Sequence, residues 1–188
     1  MLTIEINQAD IALIEKKLGD LKDKTPLVIK RASLRTARNA KSILAAQVKS
    51  VYSYKRSVRG SMRVVGAGMG AMIHASSSNH LATSFHHKGA PPARGPRRTG
   101  RTSQIAIVRG QYEPFTYSGN NSWKSGEFIF ARKKPYSRPS KKCRFPLWAA
   151  HGPTDPKMIE DKKVYGVKEP EIKQKLYQHI DSRIRELI

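Results

Sequence analysis

"TPLVIKRASLRTARNAKSILAAQVKS", residues 25–50, decides how this chain is folded. At about 100° per residue, Ile29, Ala32, Ala40, Ile43 and Leu44 share one helical face, and Lys30, Arg31, Arg35, Arg38, Lys41 and Lys49 gather on the opposite one. Thr25 reads as a cap and Pro26 as the first helical residue, where a missing N–H is no loss. The spacing predicts one helix to about Ser50, roughly 37 Å long at 1.5 Å per residue. One face serves a core; the other serves a partner or water.

Upstream, Thr3 to Asn7 alternates as an edge strand does. Asn7 then caps a helix with Ile11, Ile14, Leu18 and Leu21 on one face and Asp10 near its positive end. At the far end of the chain, Ile172, Leu176, Ile180, Ile184 and Leu187 form the apolar stripe of a last helix. Pro170 marks its start, Glu169 and Glu171 suit its first turn, and Arg183 and Arg185 suit its end. Between the helices, "YSYKRSVRGSMR" reads as a short basic helix, and "GAMIHASS", "HLATSFHH", "SQIAIVRG" and "GEFIFAR" read as strands. "TYSGNNSWKSG" (116–126) reads as a turn-rich loop carrying Trp123. Two basic stretches, the Pro- and Arg-rich arm 88–101 and the loop 133–144, have no apolar face to bury. The expected fold class is α+β: a long N-terminal helix and a C-terminal helix packed on an antiparallel β-sheet or small sandwich, with extended basic loops. A length of 188 residues suits a single domain, 1–188.

Charge is the strongest compositional signal: 36 Lys+Arg against 14 Asp+Glu, a formal +22. From Lys24 to Tyr112 there are 17 basic residues and no acid, while 11 of the 14 acids lie before Thr25 or after Met158. Such a middle repels itself unless something negative lies beside it, which leaves two readings, a solvated surface kept for solubility or a docking surface for an anionic partner. No run reaches the roughly 18 apolar residues of a membrane helix, and the acidic start is unlike a signal peptide, so the expected location is the cytosol. Cys143 is the only cysteine, which excludes an internal disulfide and a multi-cysteine zinc site.

Catalytic signatures are weak. "VVGAGMGA" (64–71) fits G-x-G-x-x-A in form, but the next acid is Glu113 and little strand precedes it, so a glycine-rich mobile loop is expected and no cofactor. His74, His80, His86 and His87 have neither the helical spacing nor the nearby carboxylates of a metal centre, and they read as strand or interface histidines. No nucleophile elbow, P-loop or spaced carboxylate pair is present; the expectation is a protein that is not an enzyme and holds no metal.

Residues 129–158, "IFARKKPYSRPSKKCRFPLWAAHGPTDPKM", run from a Phe-x-Arg strand through a basic loop into a second strand and a Gly-Pro-x-x-Pro-Lys-Met turn. This resembles the minor tail protein Z, or tail completion, family of long-tailed bacteriophages, at Phe130, Arg132, Pro146, Gly152, Pro153, Pro156, Lys157 and Met158. "KVYGVKEPEIKQKL" is similar to the family's approach to its last helix, and "LATSF" (81–85) to a short upstream strand. Phe145 stands for the usual leucine and Thr154 for the usual serine. Independently of the family, Pro146, Pro153 and Pro156 stiffen this connector, Gly152 permits a sharp turn, and Trp148 and Met158 can bury against the sheet and the last helix. It reads as a strap that closes the domain, with or without touching a neighbouring subunit.

The resemblance implies a structural subunit at the head-proximal end of the tail, assembled in the host cytoplasm and carried in the virion, which completes the tail and makes it competent for head–tail joining. It further implies a homo-oligomeric ring of six copies beside the tail terminator, tail tube or head connector. A ring of such basic chains needs an acidic neighbour or the viral DNA end. The residues expected to meet it are Arg94, Arg97, Arg98 and Arg101 in the first arm, with Lys133, Lys134, Arg138, Lys141 and Lys142 in the second. The alternative is a basic nucleic-acid-binding protein whose arms order on RNA or DNA.

Overall fold

The computed structural model describes residues 2–88, 103–115, 122–125, 128–132 and 147–188. The chain is α+β, with a long N-terminal helix, a C-terminal helix and small antiparallel sheets. Single-domain organisation was expected from length; the contacts gather the chain into two compact units, each described in turn below.

Unit 1 takes Met1–Val48, Val58–Ser77 and Asp155–Ile188. Strand β1 (Leu2–Ile4) leads into α1 (Gln8–Leu18), where the Asn7 side-chain oxygen accepts the Asp10 N–H at 2.7 Å as a cap should. A 3₁₀ turn, Gly19–Lys24, then runs directly into α2 (Thr25–Val51). Thr25 is therefore not the cap expected of it. Its backbone is already helical, its N–H bonds Lys22 O, and its buried hydroxyl finds no partner, because the chain arrives coiled and leaves no helix end to cap. Along α2, Val28, Ile29, Ala32, Ala37, Ala40, Leu44 and Val48 are buried, and Ile43 is half-buried.

Strands β2 (Met62–Ala67) and β3 (Gly70–Ala75) form a hairpin closed by Gly68-Met69, and β3 also pairs with β1, so β1 lies at an edge as expected. The glycine-rich stretch 64–71 is thus mostly strand and not a mobile loop. Gly68 takes the left-handed φ of 56° that the tight turn requires, and a Cβ on Gly70 would stand 2.6 Å from Ile4 O. Met62, Ala71 and Ile73 are buried, and the hairpin turn and the close approach of β1 account for Gly68 and Gly70. Helix α3 (Asp155–Glu160), a π turn (Lys162–Gly166) and α4 (Val167–Arg185) complete the unit. Pro170 lies inside α4, because the π turn starts the coil before it. Ile172, Leu176, Ile180 and Ile184 form the expected buried stripe, with Leu187 half-buried at its end.

Unit 2 takes Lys49–Ser57 and Ser78–Thr154. Its strands are β4 (His80–Leu81), β5 (His86–Lys88), β6 (Ser103–Ala106), β7 (Glu113–Phe115), β8 (Ser122–Ser125), β9 (Phe128–Arg132), β10 (Leu147–Ala149) and β11 (His151–Gly152). They make antiparallel sheets in the orders β5-β6-β7, β10-β9-β8 and β11-β4. "HLATSFHH" is two strands, because a 3₁₀ turn, Ala82–Ser84, interrupts it and sends Phe85 inward. Within "TYSGNNSWKSG", residues 122–125 are strand β8 paired with β9, where a loop was expected. The basic helix expected after Val51 shrinks to the 3₁₀ turn Val58–Ser61, preceded by extended chain in which Tyr52 and Tyr54 bridge to Val108 and Phe85. Tyr52, Tyr54, Ala82, Phe85, Ile105, Ala106 and Ala150 are its buried core.

Candidate interaction surface

Of the motif residues, Gly152 and Met158 sit in closely constrained places. In β9 and β10 the backbone registers are Phe130 with Ala149 and Arg132 with Leu147, so the Phe-x-Arg strand and the strand after the basic loop are antiparallel neighbours. Gly152 is not in a sharp turn, as expected of it, but in β11, paired with His80. Its requirement is space: a Cβ there would stand 2.1 Å from Phe85 Cε2. Phe85 is fully buried, with its ring 5.2 Å from that of Tyr54, which in turn lies 4.6 Å from His80. Past Pro153 and Thr154, the Asp155 N–H donates to Ser77 Oγ at 2.8 Å and Pro156 falls in the first turn of α3, where no intrahelical N–H is needed. Met158 is fully buried, as expected. Pro146 and the Trp148 side chain lie outside the described residues.

Acids and bases are unevenly partnered. On α4, Lys168 pairs with Glu171 and Lys173 with Glu169, each at 2.9 Å, and Arg183 pairs with Glu186. Lys17 of α1 reaches Asp181 at 2.9 Å, and the Tyr177 hydroxyl donates to Asp10 at 2.6 Å. The Lys168 hydrogen bond holds the Glu171 carboxyl below its ordinary range, and the Glu169 hydrogen bond raises the Lys173 ammonium. Helix α2 has no acid, and among the described residues Lys30, Arg31, Arg35, Arg38, Lys41 and Lys49 make no ion pair. All are exposed except Lys41, which is half-buried. Arg31, Arg35 and Arg38 follow at i, i+4 and i+7, so they are neighbours of like charge, each pair costing an isolated helix about 0.2–0.5 kcal/mol.

The arm residues Arg94, Arg97, Arg98, Arg101, Lys133, Lys134, Arg138, Lys141 and Lys142 lie outside the described residues. Of the histidines weighed as ligands, His74 and His86 are exposed, His80 packs on Tyr54, and His87 Nδ1 is 3.2 Å from Phe85 O. Among the described residues no three His, Cys, Asp or Glu side chains converge on a metal position. One polar site escaped sequence reading: His179 on α4, whose Nδ1 lies 2.9 Å from Thr36 Oγ1 and whose Nε2 lies 3.4 Å from Asn39 Nδ2. Its signal was Thr36, a polar residue on the apolar face of α2 along with Ser33. Among the described residues no helix is long and apolar enough to cross a membrane. Compared with protein-family models, curated proteins and solved structures, the chain matches none.

Proposed function

We propose that this chain is a structural subunit of a long-tailed bacteriophage, at the head-proximal end of the tail, which completes the tail and makes it competent to join the head. The observation that carries the reading is the seating of the Gly-Pro-x-x-Pro-Lys-Met motif. Gly152 gives way to a buried phenyl ring, Asp155 is tied to Ser77, and Met158 is wholly enclosed. A segment constrained at Gly152 and Met158, and tied at Asp155 between them, is consistent with the resemblance to the tail completion family, and a large positive excess suits a subunit that docks within an assembly. The partners proposed are a ring of like subunits, the tail terminator, tube or connector, and the viral DNA end. Tails made by a phage lacking this chain should fail to join heads, as measured by particle counts after mixing with purified heads. Tails of normal length that join at the ordinary rate would dispose of the proposal.

A second reading, a nucleic-acid-binding protein outside any tail, is favoured by the acid-free cationic face of α2. Localisation separates the two: the first puts the chain in purified virions, the second does not.

A further inference from the structure

We infer that the exposed face of α2 is a docking surface for the phosphate backbone of duplex DNA. It deepens the DNA contact within the reading above, through residues other than those named in the arms, and it stands whether or not the chain belongs to a tail. Lys30 and Lys49 are 19 residues apart on one continuous helix, so the cations span about 29 Å along a rigid rod. They occupy a sector of about 140° centred opposite the buried stripe. Rows of arginine and lysine on a helix that carries no acid match a ligand with one negative charge per about 1.7 Å of its axis.

An acidic protein is the competing occupant, and the composition of the face decides against it. Protein interfaces have an apolar core enriched in aromatic residues and depleted in charge. Between Lys30 and Lys49 no large apolar side chain is exposed, and the exposed residues beside the cations are small or polar, Asn39, Ser42 and Ala46 among them. Leu27 is the one exposed large apolar residue of α2, at its N-terminal end. Phosphate contact needs no apolar core and carries no sequence preference, which also fits a face with no aromatic residue to stack on bases.

The test measures binding of the full-length chain to a 30-base-pair duplex of arbitrary sequence across a series of salt concentrations. A triple variant, Arg31→Gln, Arg35→Gln and Arg38→Gln, is compared with a control triple, Lys16→Gln, Lys22→Gln and Lys162→Gln, which removes the same formal charge from other exposed positions. Each lost phosphate contact lowers the steepness of log K against log salt by about 0.9, so the α2 triple should lose about 2 to 3 in slope and the control less than 1. Equal losses in both triples would reduce the effect to net charge and overturn the inference. So would an α2 triple that binds DNA as before but loses binding to polyglutamate, which would assign the face to an acidic protein. Should the triple variant fold poorly, as judged by circular dichroism, single Arg31→Gln and Arg38→Gln variants should each lose about 0.9 in slope, and unchanged slopes there would equally overturn it. Arg35→Lys, which keeps the charge, should preserve the slope.

Discussion

The ring of Phe85 fills the space that a side chain on Gly152 would need, with Cε2, Cζ and Cδ2 at 2.1, 2.7 and 2.9 Å from a Cβ built there. Phe85 is held by the aromatic ring of Tyr54 on one side and by the backbone bridge to Tyr54 on its strand, so it has little freedom to retreat. Gly152→Ala should therefore destabilise the protein by about 1–3 kcal/mol, the usual cost of overpacking a filled core. Phe85→Leu in the same chain should return part of that loss, giving a coupling of about 0.5–3 kcal/mol in a double-mutant cycle of denaturant midpoints. A Gly152→Ala midpoint equal to the parent's would show that the ring moves aside freely.

His179 should make stability depend on pH near neutrality. Thr36 Oγ1 donates to Ala32 O at 2.9 Å, so it accepts from His179 Nδ1–H; Nε2 is then left to accept from Asn39. That arrangement uses the neutral ring. Burial first, then Arg35 and Lys175, hold the histidine below its ordinary value. The unfolded chain therefore binds the extra proton first as pH falls. Stability from this site is full above about pH 6.5 and declines below it until the folded ring also protonates. His179→Gln should flatten this part of the stability profile, and an unchanged slope between pH 5 and 7 would reject the assignment.

Where one face of an element is buried by its own periodicity, sequence was enough: α2, the cap at Asn7 and the stripe of α4 are local patterns. Thr25 misled because capping chemistry depends on how the chain arrives, and a 3₁₀ turn is invisible to a periodicity argument. Residues 64–71 misled because glycine marks both a loop and a hairpin turn; only the pairing of β1 with β3 explains Gly70, and Ile4 lies 66 residues before it. Gly152 is the same lesson, since its partner Phe85, just before β5, lies 67 residues earlier in the chain. The cations of α2 could be placed on one face from sequence, but their want of acidic partners among the described residues could not.

Met158 is the anchor at the end of the strap motif. It is wholly enclosed in α3, next to the buried Ile159. Met158→Ala should cost about 2–5 kcal/mol, while Met158→Leu, of similar volume, should cost less than about 1.5 kcal/mol. Thermal or denaturant unfolding of the two variants checks the order. Equal losses would mean that the sulfur-bearing chain is required for its shape and not for the volume it fills.

Tyr177 and Tyr165 should both ionise late, for different reasons that mutation can separate. The Tyr177 phenol is raised above its ordinary value first by its hydrogen bond to Asp10 and then by burial, whereas burial comes first for Tyr165, with Glu169 adding to it and Lys173 opposing it. In each case the unfolded chain loses the phenolic proton first, so the stabilising contribution is full below about pH 10 and declines as pH rises from there toward the folded value. Asp10→Ala removes both the acceptor and the negative charge, so it should bring Tyr177 back toward the ordinary range and leave Tyr165 late. Ultraviolet titration of phenolate absorbance in the parent, Asp10→Ala and Tyr177→Phe proteins reads this directly. If Tyr177→Phe leaves the late-titrating amplitude intact, the bond that ties α1 to α4 is not what delays ionisation.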